Sequence, residues 1–363
     1  RMASLKYWLW LTSLKGISSA AALRLLDWFV TPERAYYADP EEYDLVEGLS
    51  AYQRKALLDK SMDRAETILA DCHGLSLRIM TIQDGDYPDR LRQIPDPPAV
   101  LYLRGRSFDF DEEAAIGVVG AREPSEYGRK MAARLGLELA RGGALLVSGI
   151  ARGLDSEAIK GALKGGGSVV SVLAGGLDVG FPYVSRFLAE DVAAAGALIS
   201  EYPPGTPALG DHYHARNRII SGLADLVLVV EAKEKSGSLI TASCALEQGK
   251  MVYAIPGAVN DALSRGCHKL IYDGAGIAYS PEILLDEWGL SVKKMTNLSG
   301  KTKIGLATDL DLVYSCLDLR PKNLDQIIRK TGFSPGKTAG ILGQLMLMGL
   351  VKETGRQNYI RLE

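Results

Sequence analysis

The chain is expected to be an α/β protein built on a Rossmann-like, doubly wound, mostly parallel sheet. An N-terminal all-α region and a C-terminal winged-helix domain flank it. Three observations predict this. Between Ala114 and Tyr279, short β-rich runs alternate with amphipathic helical stretches, the pattern of βαβ units with helices on both faces. Residues 5–72 are helical in pattern throughout. The final stretch reads as three helices followed by a hairpin, and 363 residues suffice for two to three domains.

In chain order, the helical region carries two similar segments. Leu14-Lys15-Gly16-Ile17-Ser18 precedes an apolar helix from Ala20 to Phe29, and Val46-Glu47-Gly48-Leu49-Ser50 precedes Tyr52 to Leu58. The pair resembles helix-hairpin-helix (SAM-like) units, whose Gly-h-Gly hairpin offers backbone N–H groups to a DNA phosphate. Here Ser18 and Ser50 replace the second glycine, which favours an accessory or dimerising role over direct DNA contact. Leu77 to Ile82 reads as a strand and Asp84 to Pro88 as a turn. A proline-stiffened connection, Ile94 to Gly105, leads into another strand. The expected domains are residues 1–72, helical; 73–290, Rossmann-like; 291–303, a Lys/Ser/Thr/Asn/Gly-rich linker; and 304–363, winged helix.

Within the α/β region the expected strands are Ala115–Val119, Ala144–Val147, Ser168–Leu173, Ala197–Ile199, Leu226–Glu231 and Met251–Ile255. Helices are expected at Gly128–Arg141, Asp155–Lys164 and Ser185–Ala195. The run Leu-Val-Leu-Val-Val-Glu from Leu226 is apolar at nearly every position, as a strand buried on both faces is. The C-terminal region is read as helices over Leu310–Leu319, Asn323–Thr331 and Ser334–Met348 with a hairpin from Leu350 to Arg361. Its expected recognition helix, Ser334–Met348, has Lys337 as its one basic residue.

Ligands of open α/β sheets sit at the carboxyl ends of the strands, so the residues there carry the functional argument. The first strand is followed by Gly120-Ala121-Arg122, the second by Ser148-Gly149-Ile150-Ala151-Arg152-Gly153. Ahead of the Leu226 strand lies Arg216-Asn217-Arg218, read as opening a short helix, and after it Ser236-Gly237-Ser238, with Thr241 following in a helical pattern. Backbone N–H groups and hydroxyls at a helix start attract anions, and guanidinium forks suit phosphate oxygens. Arg122, Arg152, Arg216 and Arg218 are expected on one rim. The whole chain balances 42 basic against 44 acidic residues, formal charge −2, so polyanion binding must come from such a local cluster.

Several classes are disfavoured. Gly117-Val118-Val119-Gly120 lacks the dinucleotide fingerprint and the next strand ends in Ser148-Gly149 instead of an acid, which argues against NAD or FAD; no cofactor is expected. Cys72, Cys244, Cys267 and Cys316 lack paired spacing, and His212 and His214 lack companion ligands, so neither a disulfide framework nor a metal site is expected. No apolar run approaches the ~18 residues of a membrane helix, and Trp8 to Leu14 does not pass as a signal peptide. A cytoplasmic location with no membrane association is the expectation.

The ordered series of motifs resembles the DNA-processing protein A (DprA, or Smf) family. It comprises Gly-x-Arg at Gly120, Ser-Gly-x-Ala-x-Gly-x-Asp at Ser148, Gly-Gly-Leu-Asp at Gly175 and Ser-Glu-Tyr-Pro-Pro-Gly at Ser200. Arg-Asn-Arg-Ile-Ile-Ser-Gly-Leu at Arg216, Val-Val-Glu-Ala at Val229, Ser-Gly-Ser-Leu-Ile-Thr-Ala at Ser236 and Ile-Pro-Gly at Ile255 complete it. The match runs from Tyr87 to about Leu285. The resemblance implies a bacterial protein of natural transformation that binds and protects incoming single-stranded DNA, forms a homodimer and loads the RecA recombinase, without catalysis. It makes Arg122 a DNA contact. A basic residue that the family often has after the proline following Gly-Leu-Asp is replaced by Tyr183, with Arg186 nearby. The alternative is a phosphoribohydrolase-type enzyme on the same fold, disfavoured because its Pro-Gly-Gly-x-Gly-Thr loop is replaced by Lys235-Ser236-Gly237-Ser238-Leu239-Ile240-Thr241.

Overall fold

The computed structural model describes residues 2–179, 183–287, 308–317, 321–355 and 357–362. The linker expected over 291–303 lies outside them. The chain divides into two compact units, Arg1–Val292 and Lys293–Glu363.

The first unit opens with helices α1 (Met2–Ser13), α2 (Ser19–Phe29), α3 (Pro32–Tyr37), α4 (Ala51–Ala56) and α5 (Asp63–Gly74). The two serines that break the Gly-h-Gly pattern are helix caps. Ser18 Oγ accepts from Ala21 N at 3.3 Å. Ser50 Oγ accepts from Gln53 N at 3.2 Å while Gln53 Oε1 accepts from Ser50 N at 2.9 Å, a reciprocal capping box. Serine is therefore selected for starting α2 and α4.

The sheet follows: β1 (Arg78–Thr81), the single turn α6 (Asp89–Arg92), β2 (Val100–Gly105), β3 (Ala115–Val119), α7 (Glu126–Arg141), β4 (Leu145–Ser148), α8 (Leu154–Lys164), β5 (Val169–Leu173), α9 (Tyr183–Ala195) and β6 (Ala197–Ser200). Then come α10 (Gly210–Leu223), β7 (Leu226–Val229), α11 (Gly237–Glu247), β8 (Met251–Ala254), α12 (Arg265–Tyr272), β9 (Gly276–Ile277) and α13 (Pro281–Asp286). The nine strands lie in the order β1-β2-β6-β5-β4-β3-β7-β8-β9. From β6 to β9 all neighbours are parallel; β1 and β2 join antiparallel at the edge. The mostly parallel doubly wound sheet expected from the alternation is what forms.

Alternate residues of each central strand feed two apolar layers, because side chains switch faces along a strand. Ile116, Val118, Leu226 and Leu228 pack with α7, α8 and α9, whereas Ala115, Val119, Val227 and Val229 pack with α10, α11 and α12. The N-terminal helices do not form a core of their own. Trp8, Leu9, Leu25 and Ile68 belong to the same layer as Val100 and Tyr102. A helical segment of this size gains more by covering a sheet face than by closing on itself.

In the first layer α7 and α8 cross at backbone distance. A Cβ on Gly136 would stand 2.0 Å from Ala158 O, and one on Gly161 would stand 2.0 Å from Ala133 O. This crossing sets where both helices begin, and both begin at the cleft described below.

The second unit holds α14 (Thr308–Ser315), β10 (Lys322–Asn323), α15 (Leu324–Thr331), α16 (Pro335–Leu347), β11 (Val351–Gly355) and β12 (Asn358–Arg361), with an antiparallel sheet β10-β12-β11. Val313, Leu317, Ile327, Leu342 and Leu345 form its core. Among the described residues no helix is long and apolar enough to cross a membrane.

Helix propensity alone favours alanine over glycine by about 1 kcal/mol. Gly161→Ala is nevertheless expected to lower stability by about 2 kcal/mol, because the added methyl overpacks a backbone contact. Urea denaturation midpoints check this, and an unchanged or higher midpoint would mean the helices separate without cost.

Candidate nucleic-acid interface

Strand order reverses between β3 and β7. From β3 the chain winds outward through β4, β5 and β6, then returns to place β7, β8 and β9 on the other side. The loops leaving β3 and β7 therefore part, and a cleft opens at the carboxyl ends. Its volume is about 1200 Å³. The wall is formed by Gly120–Glu123 after β3, by Gly149–Gly153 after β4, by Ala174–Gly176 after β5 and by Lys233 and Lys235–Ser238 after β7. Tyr213, Arg216 and Asn217 of α10 and Thr241 of α11 close it.

Of the residues singled out in the sequence, Gly120, Ala121, Arg122, Gly149, Arg152, Gly153, Arg216, Asn217, Ser236, Gly237, Ser238 and Thr241 thus meet around one cavity. Arg122 is exposed and its guanidinium stands 5.1 Å from the Tyr213 ring centroid, a cation–π contact that aims the side chain without consuming its charge. Arg152 is exposed too. Its nearest carboxylate, Glu123, is 3.7 Å away with both side chains mostly in water, at 80 % and 76 % exposure; such a pair is weak and leaves the guanidinium available. Ser236 caps α11, accepting from Ser238 N at 3.4 Å, with the two hydroxyls 2.8 Å apart. Asn217 Nδ2 donates to Gly237 O at 3.4 Å, tying α10 to that helix start.

Three expectations need correction. Arg218 does not stand on the rim. It lies in the middle of α10 and faces the other way, donating to both Glu201 carboxylate oxygens at 2.9 and 2.7 Å and to Asp96 O at 2.8 Å. The 216–218 segment is thus helix interior, and residues two apart on a helix point to different sides. Arg216 lines the cleft but is buried, and its Nη1 donates to the carbonyls of Gly149, at 2.9 Å, and Val172. Ser148 is buried beneath the cleft, with its hydroxyl on Val118 O at 2.7 Å. Two of the four expected rim arginines are spent inside the protein. The side chains of Tyr183 and Arg186 lie outside the described residues.

The glycines also serve a different purpose from letting a ligand near the backbone. A Cβ on Gly149 would meet Arg216 Nη1 at 2.4 Å, and Gly153, at φ +95°, would place one 2.3 Å from Ala121 O. They let the loops pack on Arg216 and on each other.

The Arg122 loop is pinned at both ends by buried carboxylates. At one end Gly120 N donates to Asp155 Oδ1 at 3.3 Å. At the other, Ser125 donates to Glu231 through its N–H at 3.0 Å and through its hydroxyl, and the same hydroxyl caps α7 by accepting from Gly128 N at 2.9 Å. Gly128 must lack a side chain, since a Cβ there would lie 2.3 Å from Glu231 Oε2. Burial pushes the Asp155 carboxyl up to about 6, opposed by the Arg216 guanidinium and by hydrogen bonds from the Gly120 and Gly149 backbone.

Sequence reasoning missed Arg129, Lys160, Lys233 and Lys235 as cleft residues, together with Tyr213 and His214. Arg129 had a readable signal: the first turn of any helix following a sheet strand borders the strand's carboxyl end. In all, the cleft is lined by seven lysines and arginines against three acids, Glu123, Asp155 and Glu157, in a chain whose formal net charge is −2. His212 instead stacks on Tyr202, ring centroids 4.1 Å apart.

The fold and cleft define a Rossmann-like α/β protein whose strand-order switch point presents a basic-rimmed groove. More particularly, the chain belongs to the DNA recombination-mediator protein A family, whose model matches residues 78–289. Protein Smf from Synechocystis sp. is 31% identical over 394 aligned positions, covering 98% of each chain. The X-ray structure of DNA processing protein A (DprA) from Streptococcus pneumoniae superposes with a TM-score of 0.69 at 31% identity, covering 78% of this chain and 97% of that one. DNA processing protein A from Helicobacter pylori, whose structure concerns its single-stranded DNA binding mode, gives 0.53 at 27% identity over 58% and 95%.

Two outcomes are expected. Arg218→Ala strands the partly buried Glu201 carboxylate and should cost about 3 kcal/mol in denaturant unfolding, with the salt dependence of ligand binding left intact. Asp155 has a folded value raised from 3.8 to about 6; its protonated form is favoured in the fold, so its contribution is fully present below the ordinary value and lost as pH rises through about 6. The stability of the wild type relative to Asp155→Asn should decline across that window, and a flat difference would contradict the burial.

Proposed function

We propose that this protein binds single-stranded DNA through the switch-point cleft, holding the sugar-phosphate backbone without cutting it. The observation that carries the reading is the set of rim cations. Arg122, Arg129, Lys233 and Lys235 are exposed and make no ion pair with a described residue, so their charges are free for phosphates, whereas Arg216 and Arg218 are internal braces. Ser236, Ser238 and Thr241 at the start of α11 add hydroxyls and the positive end of an 11-residue helix. Family membership and the printed subject of the Helicobacter pylori structure support the same ligand.

On this reading the protein acts in DNA uptake during transformation. It protects the incoming strand and loads RecA onto it, works as a homodimer in the cytoplasm, and performs no catalysis of its own. Dimerisation would raise the avidity of clefts that each make few contacts. The second unit, three helices with a β11–β12 hairpin, is read as a winged helix. Its Lys337 is already paired with Asp309 at 2.7 Å, which favours a protein-facing or bracing role over DNA contact. The helices of residues 1–72 are assigned the accessory role of bracing the sheet.

Fluorescence-anisotropy titrations over a range of salt test the proposal. Arg122→Ala should weaken binding about equally for all single-stranded sequences and lower the salt slope by about 1. An unchanged slope would remove Arg122 from the interface.

A further inference from the structure

Positive charge continues beyond the cleft, along α12. After β8 the chain returns to the loop that leaves β7: Leu263 O accepts from Ala232 N at 2.7 Å, and Gly266 N donates to Ala232 O at 2.8 Å. Gly266 has no room for a side chain, since a Cβ would stand 2.7 Å from Ala232 O and 2.8 Å from Lys233 O. α12 therefore starts against the backbone of Lys233, a rim cation, and its 8 residues carry it about 12 Å away. Gly266 and Cys267 are buried and Leu270 packs on the sheet layer. The outer face is different. Arg265, Lys269 and Tyr272, at i, i+4 and i+7, fall on one side of the helix and are exposed.

α12 contains no acid, and neither of its cations makes an ion pair with a described residue. Asp261, just ahead of it, is engaged by Leu263 N at 2.9 Å. Around this path four exposed cations, Lys233, Lys235, Arg265 and Lys269, stand against two exposed acids, Glu234 and Asp273. Tyr272 is 91 % exposed, so its ring contributes little to the fold. Unpaired cations followed by an open aromatic ring are what a nucleic-acid strand uses: charge for its phosphates and a flat surface for a base.

Taking the cleft as the strand's site proposed above, we infer that α12 is a second contact for the same strand, outside the cleft: beyond the Lys233 rim its phosphates pass Arg265 and Lys269 and a base stacks on Tyr272. Continuity with the rim and the sign of the charge select this occupant over a second copy of the chain.

Fluorescence-anisotropy titrations of the full chain compare a short oligothymidylate of about six nucleotides with one of about twenty. Tyr272→Ala should weaken the long strand about tenfold, and Lys269→Ala should lower its salt slope by about 0.7. The short strand, held by the cleft alone, should bind both variants as it binds wild type. An unchanged long-strand affinity in Tyr272→Ala, an unchanged slope in Lys269→Ala, or an equal loss for the short strand overturns the inference. So does a loss accompanied by a smaller species in sedimentation velocity, because the face then joins two copies of the chain. Photocrosslinking wild type to a long strand carrying iodouracil needs no variant: Tyr272 should be attached, and crosslinks confined to other residues overturn the inference. Failure of wild type to bind either strand defeats the proposed function itself, and this contact with it.

Discussion

The short loop from Gly120 to Ser125 is held between two carboxylates that are out of water, Asp155 at its start and Glu231 at its end, and much of the cleft depends on this clamp. A buried carboxylate near a polyanion site is unfavourable for the ligand. Here each is engaged by backbone N–H groups, Glu231 also by the Ser125 hydroxyl, and Asp155 is further offset by the Arg216 guanidinium, so its charge is largely spent within the protein. In return, the loop that carries Arg122 is fixed before any ligand arrives, and a side chain held in advance loses less entropy on binding.

The arginines divide by burial. Arg216 braces the ends of β4 and β5 through the Gly149 and Val172 carbonyls. Arg218 joins Glu201 at the end of β6 to the proline-rich connection at Asp96, and Glu201 in turn accepts from Ser19 Oγ at 2.6 Å, at the start of α2. One ion cluster thus locks helical region, connection and sheet together. Exposed lysines and arginines on the rim contribute little to stability and are correspondingly free to bind. Neutral overall charge and a basic groove coexist because acids elsewhere offset the rim.

Glycine in this chain works chiefly for close packing. Gly136 and Gly161 let α7 and α8 cross at backbone contact, which draws the starts of both helices to the same cleft. Gly149 and Gly153 fit the loops after β3 and β4 against Arg216 and each other. The serines at 18 and 50 illustrate the converse: a residue that departs from a motif is explained by the helix it starts.

Local pattern alone determined the parallel sheet, its strand positions, the helices between them and the glycine- and hydroxyl-rich loops at the strand ends, because side-chain periodicity and turn chemistry act over a few residues. The order of motifs likewise identified the family. Even the gathering of Arg122, Arg152 and Ser236 at one edge follows from strands running parallel, since every strand then ends on the same side. Which arginines face the groove did not follow. Arg216 and Arg218 are two positions apart, and only the packing of α10 against the sheet decides that one is buried behind the cleft and the other paired with Glu201. Neither could the separation of strand neighbours be read locally: β3 and β7 lie side by side although more than a hundred residues of chain separate them, and the opening between their loops exists because tertiary contacts, not nearest neighbours in sequence, set the order of a sheet.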